Sequence, residues 1–389
     1  MAGGRRLDQR AGRAEVRPRR RGGVQGHAVA PPPGAVGRLS PDFRERRALS
    51  RRLRATIDAV AGDVTDEFLA RHPEWTDRYG DLARIRGIED ARFHIEFLIG
   101  ALLSGETDSF ARYARWTDSV LRSRGIASTF LIENLQQIGQ HTGRIVEEPG
   151  RARIAQLIDA GIDAIRHPDV DPEAGEGLPG ERALYLEAVL AGDRRAALTI
   201  AREALRAGAS VIDVYEDMIR PAQHEIGRLW QGNTITVARE HTATAITTYV
   251  ITRLHEHFPP PTTTRGRAVV TGVEDELHQL GAQMVADVLE GDGWDVRFLG
   301  SHLPHRDIVG AVLEHDAEVV AISAATLPQL ESVASLIESL RARLGERVRL
   351  IVGGSAFAAA PESWRDLGAD GFANDLRSAC DLVRTLTEP

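Results

Sequence analysis

Cysteine, methionine and aromatic side chains are what this 389-residue chain has least of: one cysteine, Cys380, three methionines, and 5% Phe, Trp and Tyr together. A single thiol cannot close a disulfide within the chain or build a thiolate zinc or iron–sulfur site. Any metal must therefore be held by histidine or carboxylate, and the pattern suits a reducing cytoplasm. No run is long and apolar enough to span a bilayer, which excludes a transmembrane helix. An overall basic excess is missing too. The formal charge is −8, whereas nucleic-acid binding needs a concentrated basic face. The expected partners are therefore neither membrane nor nucleic acid.

The basic residues that do cluster lie at 1–38, where Arg5, Arg6, Arg10, Arg13, Arg17, Arg19, Arg20 and Arg21 stand among glycines ahead of Pro31-Pro32-Pro33. This reads as a disordered leader, and without an apolar stretch behind the arginines it is not a secretory signal. From 39 to 168 apolar residues recur at three- and four-residue steps, with long runs at 49–69, 88–103, 110–123 and 154–165. The spacing predicts an all-helical domain of about five to seven helices, opened by a Ser40 cap ahead of Pro41. Its His94, Tyr113, Trp116 and His141 are candidates to line a ligand pocket, although each taken alone fits an ordinary core.

A Pro-, Gly- and acid-rich linker at 169–179 leads to four amphipathic segments within 180–258, at 181–190, 193–207, 210–229 and 234–257. Short connections favour an antiparallel four-helix bundle. Asp193 should cap the second segment, Gly208 should end it, and Pro221 should kink the third or mark its strained turn. Trp230 ends that third segment, and Glu240-His241 follow after nine intervening residues. The turn between helices brings an apolar plate and two polar groups to one end of the bundle. Plain packing with an exposed charge pair is the competing reading.

Beyond a Pro/Thr linker at 259–266, short strands at 268–273, 295–299, 319–323 and 347–352 alternate with helices at 281–289, 305–313, 330–343 and 376–386. Such alternation predicts a doubly wound parallel sheet over 267–389. Its strand ends carry unusual residues: Glu276-x-His278-x-x-Gly281 after the first, Ser323-Ala324-Ala325-Thr326-Leu327 after the third, and Gly353-Gly354 after the fourth. Open α/β sheets bind ligands at that carboxyl edge. His278 is read as a metal ligand, with Glu276, or else Asp275, accepting a hydrogen bond from its other ring nitrogen. No G-x-G-x-x-G follows the first strand, so a dinucleotide fold is disfavoured.

The loop at Glu276, His278 and Gly281, with the 323–327 turn and Gly353-Gly354, resembles the cobalamin-binding domain shared by methionine synthase, corrinoid methyltransferase proteins and B12-dependent mutases, over about 265–388. The resemblance implies a Rossmann-like domain in which His278 is the lower axial ligand of cobalt. Glu276 would then stand behind the histidine, and Ser323, Thr326, Gly353 and Gly354 would contact the nucleotide tail.

Trp230 with Glu240-His241 resembles the signature of light-sensing B12 proteins. A globin-like helical domain placed before such a bundle is similar to the photocobilins, which combine adenosylcobalamin with biliverdin. That likeness implies a multidomain α and α/β protein: a globin-like all-helical domain, a four-helix bundle, and a Rossmann-like domain. It further implies a light sensor rather than an enzyme, with biliverdin held noncovalently by His94, Tyr113 and His141. Light-dependent self-association would signal to a downstream protein. Two departures stand beside it: the DNA-binding module of the repressors is replaced, and Gln231 follows Trp230 where some of them have histidine. The alternative is a corrinoid methyl carrier serving a methyltransferase system. A cobalamin-binding scaffold without photochemistry is a third reading.

Overall fold

Short segments, most of them rich in valine, isoleucine and alanine and too short for helices, build a five-stranded parallel sheet in the C-terminal third of the chain. The computed structural model describes residues 41–168 and 177–388. The expected leader, the Ser40 cap and most of the 169–179 linker lie outside the described residues. Among the described residues no helix is long and apolar enough to cross a membrane.

Seven helices come first: α1 (Pro41–Arg54), α2 (Ile57–Arg71), α3 (Pro73–Tyr79), α4 (Asp81–Ser104), α5 (Thr107–Ser123), α6 (Ser128–Ile145) and α7 (Gly150–Arg166). The expected single run at 49–69 is broken between α1 and α2. There the Thr56 hydroxyl donates to the Leu53 carbonyl at 2.9 Å, giving that carbonyl a side-chain partner. Next come α8 (Glu181–Leu190), α9 (Arg194–Arg206), α10 (Val211–Val214), α11 (Arg220–Gln231) and α12 (Val237–His255). The Asp193 carboxylate accepts from the Arg195 and Ala196 N–H groups, and Gly208 takes φ +103° where the helix ends.

Of the two outcomes expected at Pro221, a kinked helix or a strained turn, the structure has an irregular turn just ahead of it. A π-helical turn at Tyr215–Ile219 joins α10 to α11, with the Arg220 N–H bonded to the Tyr215 carbonyl. The wider turn places proline in the first turn of α11, where its missing N–H costs least.

The sheet unit follows: β1 (Arg267–Gly272), α13 (Leu280–Gly291), β2 (Asp295–Phe298), α14 (His305–His315), β3 (Val319–Ser323), α15 (Leu330–Leu344), β4 (Arg349–Gly353), α16 (Ser355–Ala359), α17 (Ser363–Leu367), β5 (Gly371–Ala373) and α18 (Leu376–Thr387). Strand order is β2-β1-β3-β4-β5, all parallel. The order in which strands are added therefore reverses between β1 and β3, the switch point where doubly wound sheets bind ligands. β5, three residues of Gly-Phe-Ala, was too short to show a periodicity and went unexpected.

Alternation along the strands divides the protein in two. Val269, Val320, Ile322, Leu350 and Val352 face one way and join the core of α14, α15 and the N-terminal helices. Ala268, Val270, Val319, Ala321 and Ile351 face the other way and join α13, α18 and the α8 to α12 bundle. Covered on both faces, the strands favour apolar residues at consecutive positions, as at 319–322 of β3.

The N-terminal helices are keyed to the sheet unit by buried charge. Arg46 and Arg47 of α1 are 4% and 3% exposed. Arg47 meets Glu331 at 3.0 Å and the Ser335 hydroxyl at 2.9 Å on α15, and Arg46 pairs with Asp366. Helix α4 comes so close at Gly100 that an added Cβ would lie 2.5 Å from the Leu327 carbonyl.

Candidate functional site

The turn after β1 brings its carboxylate and its histidine together at the switch point. Glu276 is fully buried. Its Oε1 accepts from both the backbone N–H and the Nδ1 of His278, each at 2.7 Å, and its Oε2 accepts from the Ala325 N–H at 2.6 Å. One carboxylate thus ties the loop after β1 to the loop after β3. Burial by itself would raise the Glu276 pKa, but the His278 ring, the two N–H donors and the imidazole charge outweigh it and hold the acid below its usual range. The hydrogen bond that its ring donates to Glu276 raises the His278 pKa against the opposing effect of burial, helped by the charges of Glu276 and Glu240.

With Nδ1 donating to Glu276, the remaining nitrogen, Nε2, is the one left with a lone pair, and the His278 side chain is 70% exposed. Among the described residues no three His, Cys, Asp or Glu side chains gather into a multidentate metal site. One basic, oriented, outward imidazole suits a metal that brings its own equatorial ligands. On that donor chemistry the residues fit a corrinoid cobalt. Asp275 plays no such part: its backbone takes φ +64° and its N–H donates to the His302 ring.

The other expected contacts gather at the same edge. Ser323 pairs with Gly272 and with Gly353 across the sheet. The Ala324 N–H donates to the Gly353 carbonyl at 3.0 Å. Gly354 has φ +96°, and an added Cβ would run into the Ala324 carbonyl, so glycine is required there by the protein's own backbone. The Thr326 side chain caps the short turn Leu327–Gln329, whose Gln329 in return accepts from the N–H groups of Ala325 and Thr326. Gly281 opens α13 with free space where a side chain would be.

Opposite this edge stands the end of the bundle. Trp230 is half-buried at the end of α11, and Glu240 lies near enough for its charge to act on His278. His241 is exposed, its Nδ1 bonded to Glu240 at 2.6 Å. Sequence reasoning missed what holds Glu240. The Thr244 hydroxyl is 2.9 Å from its Oε1 and 3.3 Å from the Gln223 amide oxygen. The Gln223 amide donates to Thr247 at 2.7 Å, and the buried Tyr185 hydroxyl donates to Thr247 at 3.2 Å. The helical spacing of Glu240, Thr244 and Thr247 was the readable signal.

The residues expected to hold a bilin are engaged among themselves and with neighbours. His94 and Tyr113 are 6% and 4% exposed, and the Tyr113 hydroxyl donates to His94 Nδ1 at 2.5 Å. Tyr113 also stacks on Phe97, with ring centroids 4.0 Å apart. His141 turns to Glu67, at 3.0 Å.

Residues 266–381 match one family model described as a B12 binding domain, and residues 182–255 match a second with the same description. Dimethylamine corrinoid protein 3 of Methanosarcina acetivorans is 28% identical over 187 residues, 47% of this chain and 86% of that protein. Trimethylamine corrinoid protein 1 of the same organism is 26% identical over 205 residues, 51% of this chain and 94% of that one. The solved monomethylamine corrinoid protein of Methanosarcina barkeri superposes with a TM-score of 0.47 at 17% identity, covering 52% of this chain and 96% of its own. The two domain matches and these relatives support a cobalamin-binding family. They also correct the light-sensing reading, because the relatives bear the names of methylamine corrinoid proteins, which agrees with the methyl-carrier alternative. The Trp230 and Glu240-His241 spacing that prompted the sensor reading shows only that a bundle end faces the site.

Proposed function

We propose, from a chain whose 182–381 portion carries two B12-binding matches, that this protein is a corrinoid carrier that moves methyl groups for a partner methyltransferase. The observation that carries the reading is the triangle of Glu276, His278 and Ala325, which presents one free imidazole nitrogen at the switch point of the sheet. His278 would be the residue to hold the cobalt, with Glu276 fixing the ring's tautomer and raising its basicity. Ser323, Thr326, Gly353 and Gly354 form the edge along which the nucleotide tail lies. When bound, the corrinoid supplies a cobalt centre able to accept and release a methyl group.

The chain's own part is to bind, orient and shield. Trp230 and the bundle end would shield a bound corrinoid from water, while Thr244, Gln223 and Thr247 hold Glu240 in place. In this reading the ligand carried is a methyl group rather than adenosyl, the chain is no enzyme by itself, and the catalytic groups belong to the methyltransferase. Names of methylamine corrinoid proteins among the relatives support a methylamine as the donor class.

Purified protein loaded with hydroxocobalamin, reduced, and supplied with a methylamine and its methyltransferase should acquire the absorption spectrum of methylcobalamin. Absence of that spectrum with dimethylamine, trimethylamine and methanol systems alike would sink the carrier reading, while a retained stoichiometric corrinoid would leave cobalamin binding standing.

A further inference from the structure

We propose that Ser123 and Arg124, contributed by the N-terminal helices, are positioning residues that hold the Trp230 end of α11 over the site. What Trp230 covers rests on the carrier reading above; the contact itself does not.

The N-terminal helices offer a fixed base for such a hold. They share one continuous core with the sheet unit, they bury Arg46 and Arg47 against it, and α4 at Gly100 lies directly on Leu327. Leu327 is two residues from Ala325, whose N–H secures Glu276. The base is therefore registered to the loop that orients His278.

From that base α5 crosses to the bundle. Near its start Arg112 donates to the Ala359 carbonyl of α16, and at its end four polar contacts and a ring contact meet the end of α11. The Ser123 hydroxyl is placed between the Val120 carbonyl at 2.8 Å and the Gln231 carbonyl at 2.9 Å, and Arg124 donates to the carbonyls of Gln231 at 3.2 Å and Trp230 at 3.5 Å. The Asn233 amide returns a bond to the Ser123 carbonyl at 3.5 Å. The Arg124 guanidinium lies 5.4 Å from the centroid of the Trp230 ring.

Carbonyls in the last turn of a helix lack intrahelical donors and carry the negative end of its dipole. A guanidinium offers them several N–H groups and also stacks on an indole face, which an ammonium does less well. Both Ser123 and Arg124 are thus matched to a helix end that terminates in tryptophan. These contacts are exposed, unlike Arg46 and Arg47, so they can be exchanged for a partner's without unfolding either side. A protein that reaches the upper face must displace Trp230, and displacing Trp230 breaks this set first.

Amide hydrogen exchange on the cofactor-free full chain tests the contact. In Arg124→Ala the amides of 229–236 should exchange about three- to ten-fold faster, the scale of losing a ring contact and two exposed hydrogen bonds. In Arg112→Ala, which leaves the Trp230 end untouched, they should not. In protein loaded with hydroxocobalamin, uptake of azide followed by absorption should accelerate by a similar factor in Arg124→Ala, and Arg124→Lys should return part of the way. Unchanged amide exchange in Arg124→Ala overturns the contact, and faster exchange with unchanged azide uptake overturns its role at the site. Should wild-type protein bind no cobalamin, the carrier reading fails while the amide measurement still decides the contact.

Discussion

The Nδ1 of His278 lies 2.7 Å from Oε1 of Glu276, and the second oxygen of the same carboxylate lies 2.6 Å from the Ala325 N–H. A fully buried acid is thereby spent on three donors, which keeps it ionised and fixes the ring. The opposite ring nitrogen is left to a ligand from outside the chain.

His278→Ala should abolish the imidazole-ligated spectrum of bound cobalamin and weaken binding. Because the ring is 70% exposed, unfolding free energy should fall by only about 1 kcal/mol, the loss of one hydrogen bond to a charged acceptor. A variant with an unaltered cobalt spectrum would show that another group is the ligand.

Glu276→Gln should weaken cobalamin binding by about 10- to 100-fold, as loss of the group behind a metal-bound histidine does. It should also destabilise the cofactor-free chain by about 2–3 kcal/mol, since an amide N–H replaces an acceptor opposite buried donors. Equilibrium titration and urea unfolding measure the two effects separately.

Gly100→Ala has a sign that decides between two effects. Helix propensity alone would stabilise by about 1 kcal/mol. Here the new Cβ would meet the Leu327 carbonyl at 2.5 Å, and overpacking of that kind costs about 1–3 kcal/mol. A net loss of stability is expected, and a gain in thermal midpoint would show that α4 and the 327 turn are not in contact.

His94 makes folding stability depend on pH. Burial lowers its pKa from 6.5 to about 4, so between those values the unfolded chain takes up a proton that the folded chain does not. The contribution is intact above pH 6.5, is lost as pH falls toward 4, and levels off below. The full loss is about 3 kcal/mol. Denaturant curves at pH 7.5, 5.5 and 4.5 should diverge between wild type and His94→Gln over that window, and parallel curves would refute the assignment.

Thr247→Val would leave the buried Tyr185 hydroxyl and the Gln223 amide without their shared acceptor. Destabilisation of about 1–3 kcal/mol is expected from two stranded donors. Loss of order at Gln223 should also release Thr244 and Glu240, visible as altered side-chain resonances at the end of the bundle.

Much of this site was legible because the signals were local. Glu276 and His278 are two residues apart on a turn, Asp193 sits at the start of a periodic run, and β1, β3 and β4 are short, mostly apolar segments. The 371–373 strand was not legible, since three residues show no period and its pairing with β4 is a long-range event. Pro221 misled only in leaving a kink open beside a turn, because a proline in the first turn after a wide turn looks, in one dimension, like a proline within a helix. Trp230 and Glu240-His241 misled in another way. Their spacing reports a helix end and a turn, which a light sensor and a carrier can share.

By itself the sequence determined the elements and the chemistry at the strand ends, because helix and strand periods, caps and turns are properties of neighbouring residues. Only the tertiary structure decided that one carboxylate would join the first and third strand loops and that α4 would press on Leu327. It alone set Arg124 on Trp230. Those pairs lie tens to hundreds of residues apart, and nothing in a local pattern records which distant backbone will close upon it.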